Sequence, residues 1–270
     1  MEKRSIFITG ISSGIGKTCA EYLRDKGHAV YGTTRNEELA GTKKDRVAYL
    51  YMDVRDPESV KQAVDFVISD TGSIDVLINN AGMGMGGSIE DMSHEEALLH
   101  FETNTLGAIR VINEVLPVMR RQGRGHIINI GSVASYISIP FQAAYSASKA
   151  AITSYSYSLR NEVRPFGINV TVIHPGDLKT NFTHNRKVAS AATEESPYYM
   201  IMVKSLETMA RDEQNGGDPI CIAKAVERVM KRKNPPVSVT VGFKYKLISA
   251  AFRIVPSKLR EAIVASIYAK

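Results

Sequence analysis

Cysteine is scarce in this sequence, since its 270 residues include only Cys19 and Cys221. Two cysteines in distant helical segments exclude a disulfide scaffold and are typical of a protein in a reducing compartment. No apolar stretch reaches the ~18 residues that a membrane-spanning helix requires. The first residues lead directly into an apolar run, which leaves no room for a cleavable signal peptide. We therefore expect a cytoplasmic protein.

Signatures of metal binding and of nucleic-acid binding are also missing. The six histidines are dispersed, without the close pairs or cysteine partners of a zinc site. The basic residues are not surrounded by a recognisable nucleic-acid-binding module. The sequence thus predicts no metal site and no nucleic-acid partner. A chain of this length with 44% hydrophobic residues is able to bury one large core.

Apolar runs and amphipathic segments alternate along the chain. Strands are predicted at 4–9, 28–34, 47–52, 74–79, 124–131, 168–173 and 237–241, and helices at 14–26, 57–70, 94–121, 142–164 and 219–232. This alternation predicts an α/β fold, a doubly wound parallel seven-stranded sheet with helices on both faces. Polar or turn residues directly follow five of the strands, namely Thr9, Asp53, Asn80, Ser132 and Pro175. We expect them to meet at one edge of the sheet and to form a single site.

A glycine-rich segment follows the first strand, with Gly10, Gly14 and Gly16 separated by Ile11, Ser12, Ser13 and Ile15. A strand, a glycine-rich turn and a helix start suit a dinucleotide pyrophosphate, because the backbone can approach closely and the helix N-terminus offers free N–H groups. The alternative is an ordinary loop between a strand and a helix.

Tyr145 and Lys149 are four residues apart in a predicted helix, and Ser132 precedes them. Residues at this spacing share one face of a helix. A tyrosine ordinarily has a pKa near ~10, and a neighbouring ammonium group lowers that pKa. The pair therefore indicates a tyrosine that exchanges a proton with a substrate oxygen.

These motifs occur in an order and at spacings typical of one family. They are Thr9-Gly10-x-x-x-Gly14-x-Gly16, Asp53-Val54, Asn79-Asn80-Ala81-Gly82, Asn104, Ser132, Tyr145-x-x-x-Lys149 and Pro175-Gly176. Over roughly residues 4 to 242 the chain resembles the classical short-chain dehydrogenase/reductase family. The resemblance implies a Rossmann-like fold, a single catalytic domain over 1–242, and a homodimer or homotetramer built on the helices at 94–121 and 142–164.

The resemblance also implies a role for each catalytic residue. Ser132 would hold the substrate oxygen, although Ser135 and Ser138 offer rival hydroxyl groups nearby. Tyr145 would exchange the proton, and Lys149 would lower its pKa and hold the nicotinamide ribose. Asn104 would anchor a water on a proton relay; the alternative is a helix-interior amide bonded to backbone.

Cofactor preference is indicated at the end of the second strand. Family members that prefer NAD carry an acidic residue where this chain has Thr34, and Arg35 follows it. An arginine attracts a ribose 2′-phosphate, so we predict NADP(H); the alternative is a solvated loop arginine. The other cofactor contacts implied are Gly10, Ser12, Ser13, Gly14, Ile15 and Gly16 at the pyrophosphate, Asp53 and Val54 at the adenine, Asn80, Ala81 and Gly82 below the ribose, and Pro175, Gly176 and Thr180, with Thr180 at the carboxamide.

The substrate is indicated less directly. In the family the pocket walls correspond here to residues 83–87, 134–142 and a long insertion at about 180–217, which mixes apolar and charged residues and would suit a lid. We expect a bulky hydrophobic carbonyl or alcohol substrate, such as a steroid, retinoid or keto-lipid. An acyl-carrier thioester is an alternative substrate. A catalytically silent NADP-binding regulator or scaffold is an alternative function, although such proteins usually lack the tyrosine or the lysine.

The chain's basicity is concentrated at its carboxyl end. Residues 221–270 contain eleven Lys or Arg against two Glu. Within the extension 243–270, apolar residues recur at helical spacing on either side of Pro256. Such a basic amphipathic extension binds an anionic membrane surface in some proteins, which would make this one a peripheral membrane protein. In the alternative interpretation it packs over the substrate cleft or a subunit partner.

Overall fold

The chain folds around one large, mostly parallel β-sheet, in a computed structural model that describes residues 3–269. Its strands are β1 (Ser5–Ile8), β2 (Ala29–Thr34), β3 (Lys43–Lys44), β4 (Val47–Tyr51), β5 (Val76–Asn79), β6 (Met85–Gly86), β7 (Gly125–Ile130), β8 (Ile168–Pro175), β9 (Lys187–Val188) and β10 (Ser238–Val241). Its α-helices are α1 (Gly14–Asp25), α2 (Pro57–Thr71), α3 (His94–Phe101), α4 (Gly107–Gln122), α5 (Ala143–Val163), α6 (Phe182–Asn185), α7 (Tyr199–Gln214), α8 (Ile220–Met230), α9 (Phe243–Ile254) and α10 (Ser257–Tyr268).

The large sheet has the strand order β10-β8-β7-β5-β1-β2-β4-β3. The strands are added outward from β1 in one direction through β2 and β4 and then in the other from β5, so the strand order reverses between β1 and β5. There Phe7 of β1 pairs in parallel with Tyr31 on one side and Leu77 on the other. The predicted doubly wound parallel sheet is confirmed. The predicted count of seven strands is corrected to eight, because Lys43 and Lys44 pair antiparallel with β4. That two-residue strand is too short and too polar to give a periodic signal.

Apolar side chains cover both faces of the sheet. In β1, Ile6 and Ile8 join a core beneath α1 and α8, whereas Phe7 joins a second core beneath α2, α4 and α5. Successive strand residues point to opposite faces, so a strand covered on both sides must be apolar throughout. This explains why the strands are continuous hydrophobic runs in the sequence.

One predicted helix is wrong in detail. The segment predicted as a single α-helix over 94–121 is interrupted by a π-helical turn at Glu102–Leu106, where the Gly107 N–H donates to the Glu102 carbonyl, five residues back. The Asn104 side chain is bonded to the Met83 backbone, and Thr105 Oγ1 donates to the Ser148 carbonyl at 3.0 Å. The wider turn lets consecutive residues face α5 and the loop after β5, a use typical of π-turns near functional sites.

The predicted insertion is a folded lobe. It contains α6, β9 and α7, and β9 pairs with β6 to form a second, two-stranded sheet. A bridge between Leu178 and Gly217 joins the two ends of the lobe. The Asp218 carboxylate then accepts a hydrogen bond from the Ile220 N–H at 2.8 Å, which starts α8.

The carboxyl extension forms α9 and α10, which follow the edge strand β10. The ring of Tyr245 on α9 packs against Gly176, where an added Cβ would meet it at 2.1 Å. Tyr268 on α10 donates to Asp212 of α7 at 3.5 Å. The extension is therefore anchored at both ends to the sheet edge and to the lobe. Among the described residues, none of the helices has the length and apolarity that crossing a membrane requires.

Candidate active site

A cleft of about 580 Å³ opens at the carboxyl ends of the strands, beside the reversal between β1 and β5. This is where ligands bind in open parallel sheets. The structure brings most predicted site residues together there: Gly10, Ser12, Ser13, Gly14, Ile15, Arg35, Asp53, Val54, Asn80, Ala81, Gly82, Ser132, Tyr145, Lys149, Pro175, Gly176 and Thr180 line the cleft. Gly16 and Asn104 are not among the lining residues; they lie directly behind the wall.

The glycine-rich loop is held by the neighbouring strand end. Thr9 Oγ1 accepts hydrogen bonds from the backbone N–H groups of Asn80 and Ala81, both at 2.9 Å. The Asn80 amide donates to the carbonyls of Thr9 at 3.0 Å and Gly10 at 2.9 Å. Gly10 has φ 72°, a backbone conformation that residues other than glycine rarely adopt. The loop is thus fixed in place before any ligand binds.

Gly16 sets the approach of α1 to this loop. A Cβ there would lie 2.1 Å from the Gly10 carbonyl oxygen and 2.5 Å from the Asn80 amide nitrogen. Among the described residues no side chain caps α1 at Ser13, and the start of this helix, Ser13 to Ile15, lines the cleft. Free N–H groups at a helix N-terminus attract phosphate.

The far end of the cleft carries the cofactor-preference residues. Thr34 is buried and its hydroxyl accepts the N–H of Asn36 at 3.0 Å, whereas Arg35 is exposed at the cleft rim. Asp53 is bound by Arg55 through two guanidinium nitrogens, at 3.0 Å and 2.5 Å. That ion pair lowers the pKa of Asp53. Arg35 therefore lies at the cleft with its charge uncommitted to an ion pair among the described residues.

Tyr145 and Lys149 lie one turn apart on α5, as predicted. The Lys149 Nζ lies 5.9 Å from the centroid of the Tyr145 ring and donates to the Ile130 carbonyl at 2.9 Å. Burial lowers the pKa of Lys149 to about 8. Burial also raises the pKa of Tyr145 to about 12, and its hydrogen bond with the Ser132 hydroxyl opposes that rise. Contrary to the expectation from sequence, burial outweighs any lowering by Lys149 in this structure.

Ser132 lies closer to the tyrosine than its rivals do. Its hydroxyl lines the cleft, bonds Tyr145 and accepts the Ala134 N–H at 3.1 Å. Ser135 instead donates to the Lys149 carbonyl at 3.1 Å, and neither Ser135 nor Ser138 lines the cleft. The geometry favours Ser132 among the three hydroxyl groups.

Asn104 is bonded in the manner that the sequence left as an alternative. Its Oδ1 accepts the Met83 N–H at 2.8 Å, and its Nδ2 donates to the Met83 carbonyl at 3.0 Å and to Ser148 at 3.2 Å. The side chain therefore fixes the loop after β5 against α5. The predicted role on a proton relay stays a prediction.

Some contacts at the site were not predicted individually, although Gln142 and Phe182 lie within the segments predicted as pocket walls. The Phe182 ring lies 5.6 Å from the Tyr145 ring and closes the cleft over Gly84, where a Cβ would meet it at 2.7 Å. Gln142 is buried beside the cleft, and its amide nitrogen has no hydrogen-bond partner among the described residues. Its position three residues before Tyr145 on one helix face was a usable signal.

A hydrogen bond to a carboxylate and an ion pair, both largely shielded from solvent, also lie beside the cleft. Asp177 accepts a hydrogen bond from Tyr245, yet burial raises the pKa of its carboxyl group. The ion pair between Arg186 and Glu213 is shielded, with side-chain exposures of 5% and 15%. The position of Asp177 at the site could be predicted, because it directly follows the Pro175-Gly176 pair. Its contact with Tyr245 could not be predicted, because no sequence pattern indicates it.

His100 lies behind the tyrosine. It is fully buried, its ring meets that of Tyr145 edge-on at 6.1 Å, and burial with the nearby Lys149 charge lowers its pKa to about 4. A neutral imidazole therefore adds no charge to the wall behind Tyr145 at neutral pH.

Comparisons with known proteins agree with this geometry. A sequence model described as "short chain dehydrogenase" matches residues 4–190. A protein of Bacteroides thetaiotaomicron named 3-ketodihydrosphingosine reductase is 43% identical over 243 residues, which cover 90% of this chain and 89% of that protein.

Solved structures are similar over most of their length. A short-chain dehydrogenase from Streptomyces avermitilis superposes with a TM-score of 0.82 at 31% identity, covering 98% of both chains. An alcohol dehydrogenase from Thermococcus sibiricus, complexed with 5-hydroxy-NADP, has a TM-score of 0.71 at 26% identity, covering 88% of this chain and 96% of that one.

Proposed function

This chain belongs to the short-chain dehydrogenase family of nicotinamide-dependent oxidoreductases, and from that premise we propose that it is an NADP(H)-dependent enzyme acting on the carbonyl or secondary alcohol of a bulky apolar substrate. The observation that carries the proposal is the meeting of Ser132, Tyr145 and Lys149 in one cleft with the glycine-rich loop. A reacting carbonyl and a dinucleotide would share this space.

The cleft suits the phosphate groups of a dinucleotide. The uncapped start of α1 and the close packing at Gly16 are the features that a pyrophosphate needs. Arg35 supports a preference for NADP(H), because a guanidinium binds a 2′-phosphate and a neutral Thr34 does not repel it. Asp53 and Val54 would flank the adenine, Asn80 to Gly82 and Lys149 the nicotinamide ribose, and Thr180 the carboxamide. When bound, the cofactor supplies or accepts a hydride.

The protein's own residues handle the proton and the substrate oxygen. Ser132 Oγ donates a hydrogen bond to that oxygen and holds it beside Tyr145. The Tyr145 phenol donates its proton to the same oxygen during reduction and takes it back during oxidation. Burial keeps this phenol protonated at neutral pH, the form required for reduction. The lobe, through Phe182, would exclude water from the reacting centre.

The apolar cleft wall favours a lipid-like ketone. Met83, Leu99, Ile139 and Phe182 are among the lining residues, and the Phe182 ring lies next to Tyr145. The bacterial relative named 3-ketodihydrosphingosine reductase supports a long-chain 3-keto lipid within this class. We propose that the lobe at about 180–217 is the lid over such a substrate.

The test is NADPH oxidation by the purified protein with a panel of ketones: 3-ketodihydrosphingosine, other long-chain 3-keto lipids, steroids, retinal and short keto-esters. Turnover is expected for the long-chain members. The Tyr145→Phe control should reduce kcat by about 10²- to 10⁴-fold, because it removes the proton donor, with NADPH affinity within a few-fold.

Full activity of Tyr145→Phe would contradict the assigned mechanism. Tight NADPH binding without turnover on any ketone would instead favour the catalytically silent regulator. Equal kcat/KM with NADH and NADPH would contradict the cofactor assignment while leaving the chemistry in place.

The remaining assignments concern assembly. We propose that residues 1–242 form the catalytic domain and that the protein is a homodimer or homotetramer through α4 and α5. We further propose that the extension 243–270 makes peripheral contact with a membrane. Exposed apolar side chains on α9 support this contact: Phe243, Leu247 and Ile254 are 78%, 57% and 85% exposed. A lipid substrate would be reached from such a position.

A further inference from the structure

A second cavity, of about 440 Å³, lies on the outer side of the large sheet, far from the glycine-rich loop in the strand order. It is bounded by α8, the edge strand β10 and α9. The lining residues are Ala225, Arg228, Val229, Arg232, Pro236, Ser238, Val239, Thr240, Lys246, Ser249 and Ala250. Nothing in the proposed chemistry uses this cavity.

The cavity wall is strongly basic. Arg228 is in the last turn of α8, Arg232 follows the end of that helix, and Lys246 of α9 lines the same cavity. All three side chains are exposed, and none forms an ion pair with the described residues. No carboxylate is among the lining residues that the structure describes. Three cations around one concavity repel one another unless an anion joins them.

Hydroxyl groups add hydrogen-bond donors to these charges. Ser238 of β10 and Ser249 of α9 line the cavity, as does Thr240, whose hydroxyl is already hydrogen-bonded to the Tyr136 hydroxyl at 2.9 Å. Ser249 is buried at 6% exposure and its hydroxyl forms no hydrogen bond with the described residues. Guanidinium, ammonium and hydroxyl donors together match the several acceptor oxygens of a phosphate group.

The apolar face of α9 adjoins this cavity. Residues three and four apart share one side of a helix, so Lys246, Ser249 and Ala250 form the side that lines the cavity. Phe243, Leu247 and Ile254 follow the same rule on the adjacent, exposed side. A surface that received this apolar stripe would therefore also meet the cavity. An anionic membrane offers both an apolar interior and phosphate groups at its boundary.

We propose that the cavity bounded by Arg228, Arg232 and Lys246 binds the phosphate group of an anionic membrane lipid. The inference rests on the proposed peripheral contact of the extension with a membrane and gives that contact a lipid-headgroup site. Placed there, the lipid would hold α9, whose Tyr245 packs on Gly176 at the cleft, next to the surface that carries the substrate.

The experiment compares full-length variants for binding to vesicles, by co-sedimentation. Vesicles of phosphatidylcholine alone are compared with vesicles that also contain phosphatidylglycerol. The cavity variant is Arg228→Gln/Arg232→Gln. Its matched control is Lys224→Gln/Lys233→Gln, which removes the same charge from exposed positions outside the cavity. Equal melting temperatures of the two variants verify that both are folded.

We expect the wild type to prefer vesicles with phosphatidylglycerol. The cavity variant should bind them about 30-fold more weakly, because each basic group close to an anionic surface contributes roughly fivefold. The control should stay within about threefold of wild type, because Lys224 and Lys233 lie outside the cavity. Equal weakening by both pairs would overturn the site, since it would indicate a diffuse basic field.

Other outcomes separate the site from the membrane contact. Equal binding of wild type and cavity variant to both kinds of vesicle would contradict the phosphate site but support the peripheral membrane contact. Failure of the wild type to bind either vesicle would overturn both. In a further outcome, inorganic phosphate raises the melting temperature of the wild type but not of the cavity variant, and neither protein binds vesicles. That result would indicate a soluble phosphate ligand and overturn the lipid assignment.

Discussion

At the scale of single residues, burial in the cleft changes the pKa of Lys149 and of Tyr145. Lys149 is 6% exposed, and its ammonium group donates to the Ile130 carbonyl rather than to a carboxylate among the described residues. A buried cation without a counter-charge is costly, so its pKa falls. A ligand that brings negative charge or hydroxyl acceptors beside Lys149 would recover part of that cost.

The buried lysine makes stability depend on pH in a defined direction. Its pKa falls from 10.5 to about 8 on folding, so between these values the unfolded chain holds a proton that the folded protein has lost. Stability contributed by this site therefore rises with pH across that window. Relative to Lys149→Met, the wild type should gain about 3 kcal/mol in the free energy of unfolding between pH 8 and pH 10.5.

Denaturant unfolding of both proteins at several pH values measures this difference. The exposed Lys204→Met variant is the control and is expected to follow the wild-type curve. A constant gap between wild type and Lys149→Met across the window would show that the lysine keeps its charge on folding.

A second residue-scale prediction concerns Arg35 at the cleft rim. Arg35→Asp removes a guanidinium partner for a 2′-phosphate and introduces repulsion. The ratio of kcat/KM for NADPH to that for NADH should fall by about 10- to 100-fold, as expected for loss of a charge-assisted hydrogen bond. Steady-state kinetics with both cofactors measures it. Lys44→Asp, an equal charge change outside the cleft, should leave the ratio unaltered; an unaltered ratio in Arg35→Asp itself would mean that another residue reads the phosphate.

At the scale of elements, α9 is joined to the end of β8 by one contact. Tyr245 packs on Gly176 and donates to Asp177. Tyr245→Phe keeps the packing and removes the hydrogen bond to a half-buried carboxylate. We expect the free energy of unfolding to fall by about 1–3 kcal/mol. The KM for a long-chain ketone should also change, because Tyr245 contacts Gly176 and Asp177, which line the cleft.

Denaturant unfolding and steady-state kinetics supply the two readouts. Tyr198→Phe is the matched control, because its hydroxyl donates to Glu90 at an exposed site, where a hydrogen bond to a charged group contributes little. If Tyr245→Phe and its control lose equal stability with no change in KM, α9 is not coupled to the cleft.

Strands were more predictable from the sequence than the other elements. The seven long strands lie within two residues of the predicted bounds, because most of them are apolar runs buried on both faces. The edge strand β10 is only partly buried. The π-turn at Glu102–Leu106 could not be predicted, because it depends on contacts of Asn104 and Thr105 with segments distant in sequence. Helix α7 was also missed, since few of its side chains are buried and its apolar stripe is weak.

The site could be predicted as far as local motifs extend. Residues at strand ends converge because parallel strands end at one edge, so the glycine-rich loop, Ser132 and Tyr145 were found from spacing. The pKa of Tyr145 was predicted in the wrong direction for this structure, because helix spacing gives the distance to Lys149 but not the burial of the phenol. Phe182 lies in the predicted lid, but its contact with Tyr145 and the contact of Tyr245 with Gly176 join segments distant in sequence. No local pattern indicates such contacts.

At the scale of the whole molecule, exposed apolar residues on the central helices bear on assembly. Leu106, at the π-turn, is 38% exposed and Tyr157 of α5 is 39% exposed. A homodimer through α4 and α5 would bury both. Leu106→Glu places a charge in that interface and should convert the assembly to monomers, as measured by sedimentation equilibrium.

The control for this prediction is Ile89→Glu, because Ile89 is 78% exposed away from those helices. It should leave the mass unchanged. A wild type that is monomeric at all concentrations would contradict the proposed homo-oligomer, and an intact oligomer in Leu106→Glu would place the interface elsewhere.

The short strand β3 has a consequence for how these molecules behave together when crowded. It forms the outer border of the large sheet beside β4, and its two residues, Lys43 and Lys44, are both exposed. An open strand border exposes unpaired N–H and C=O groups that can recruit a border strand from another molecule into a growing fibril. Two adjacent ammonium groups repel the same pair on an approaching copy, and the strand is too short to guide pairing. This side of the sheet is thereby protected against self-templated aggregation.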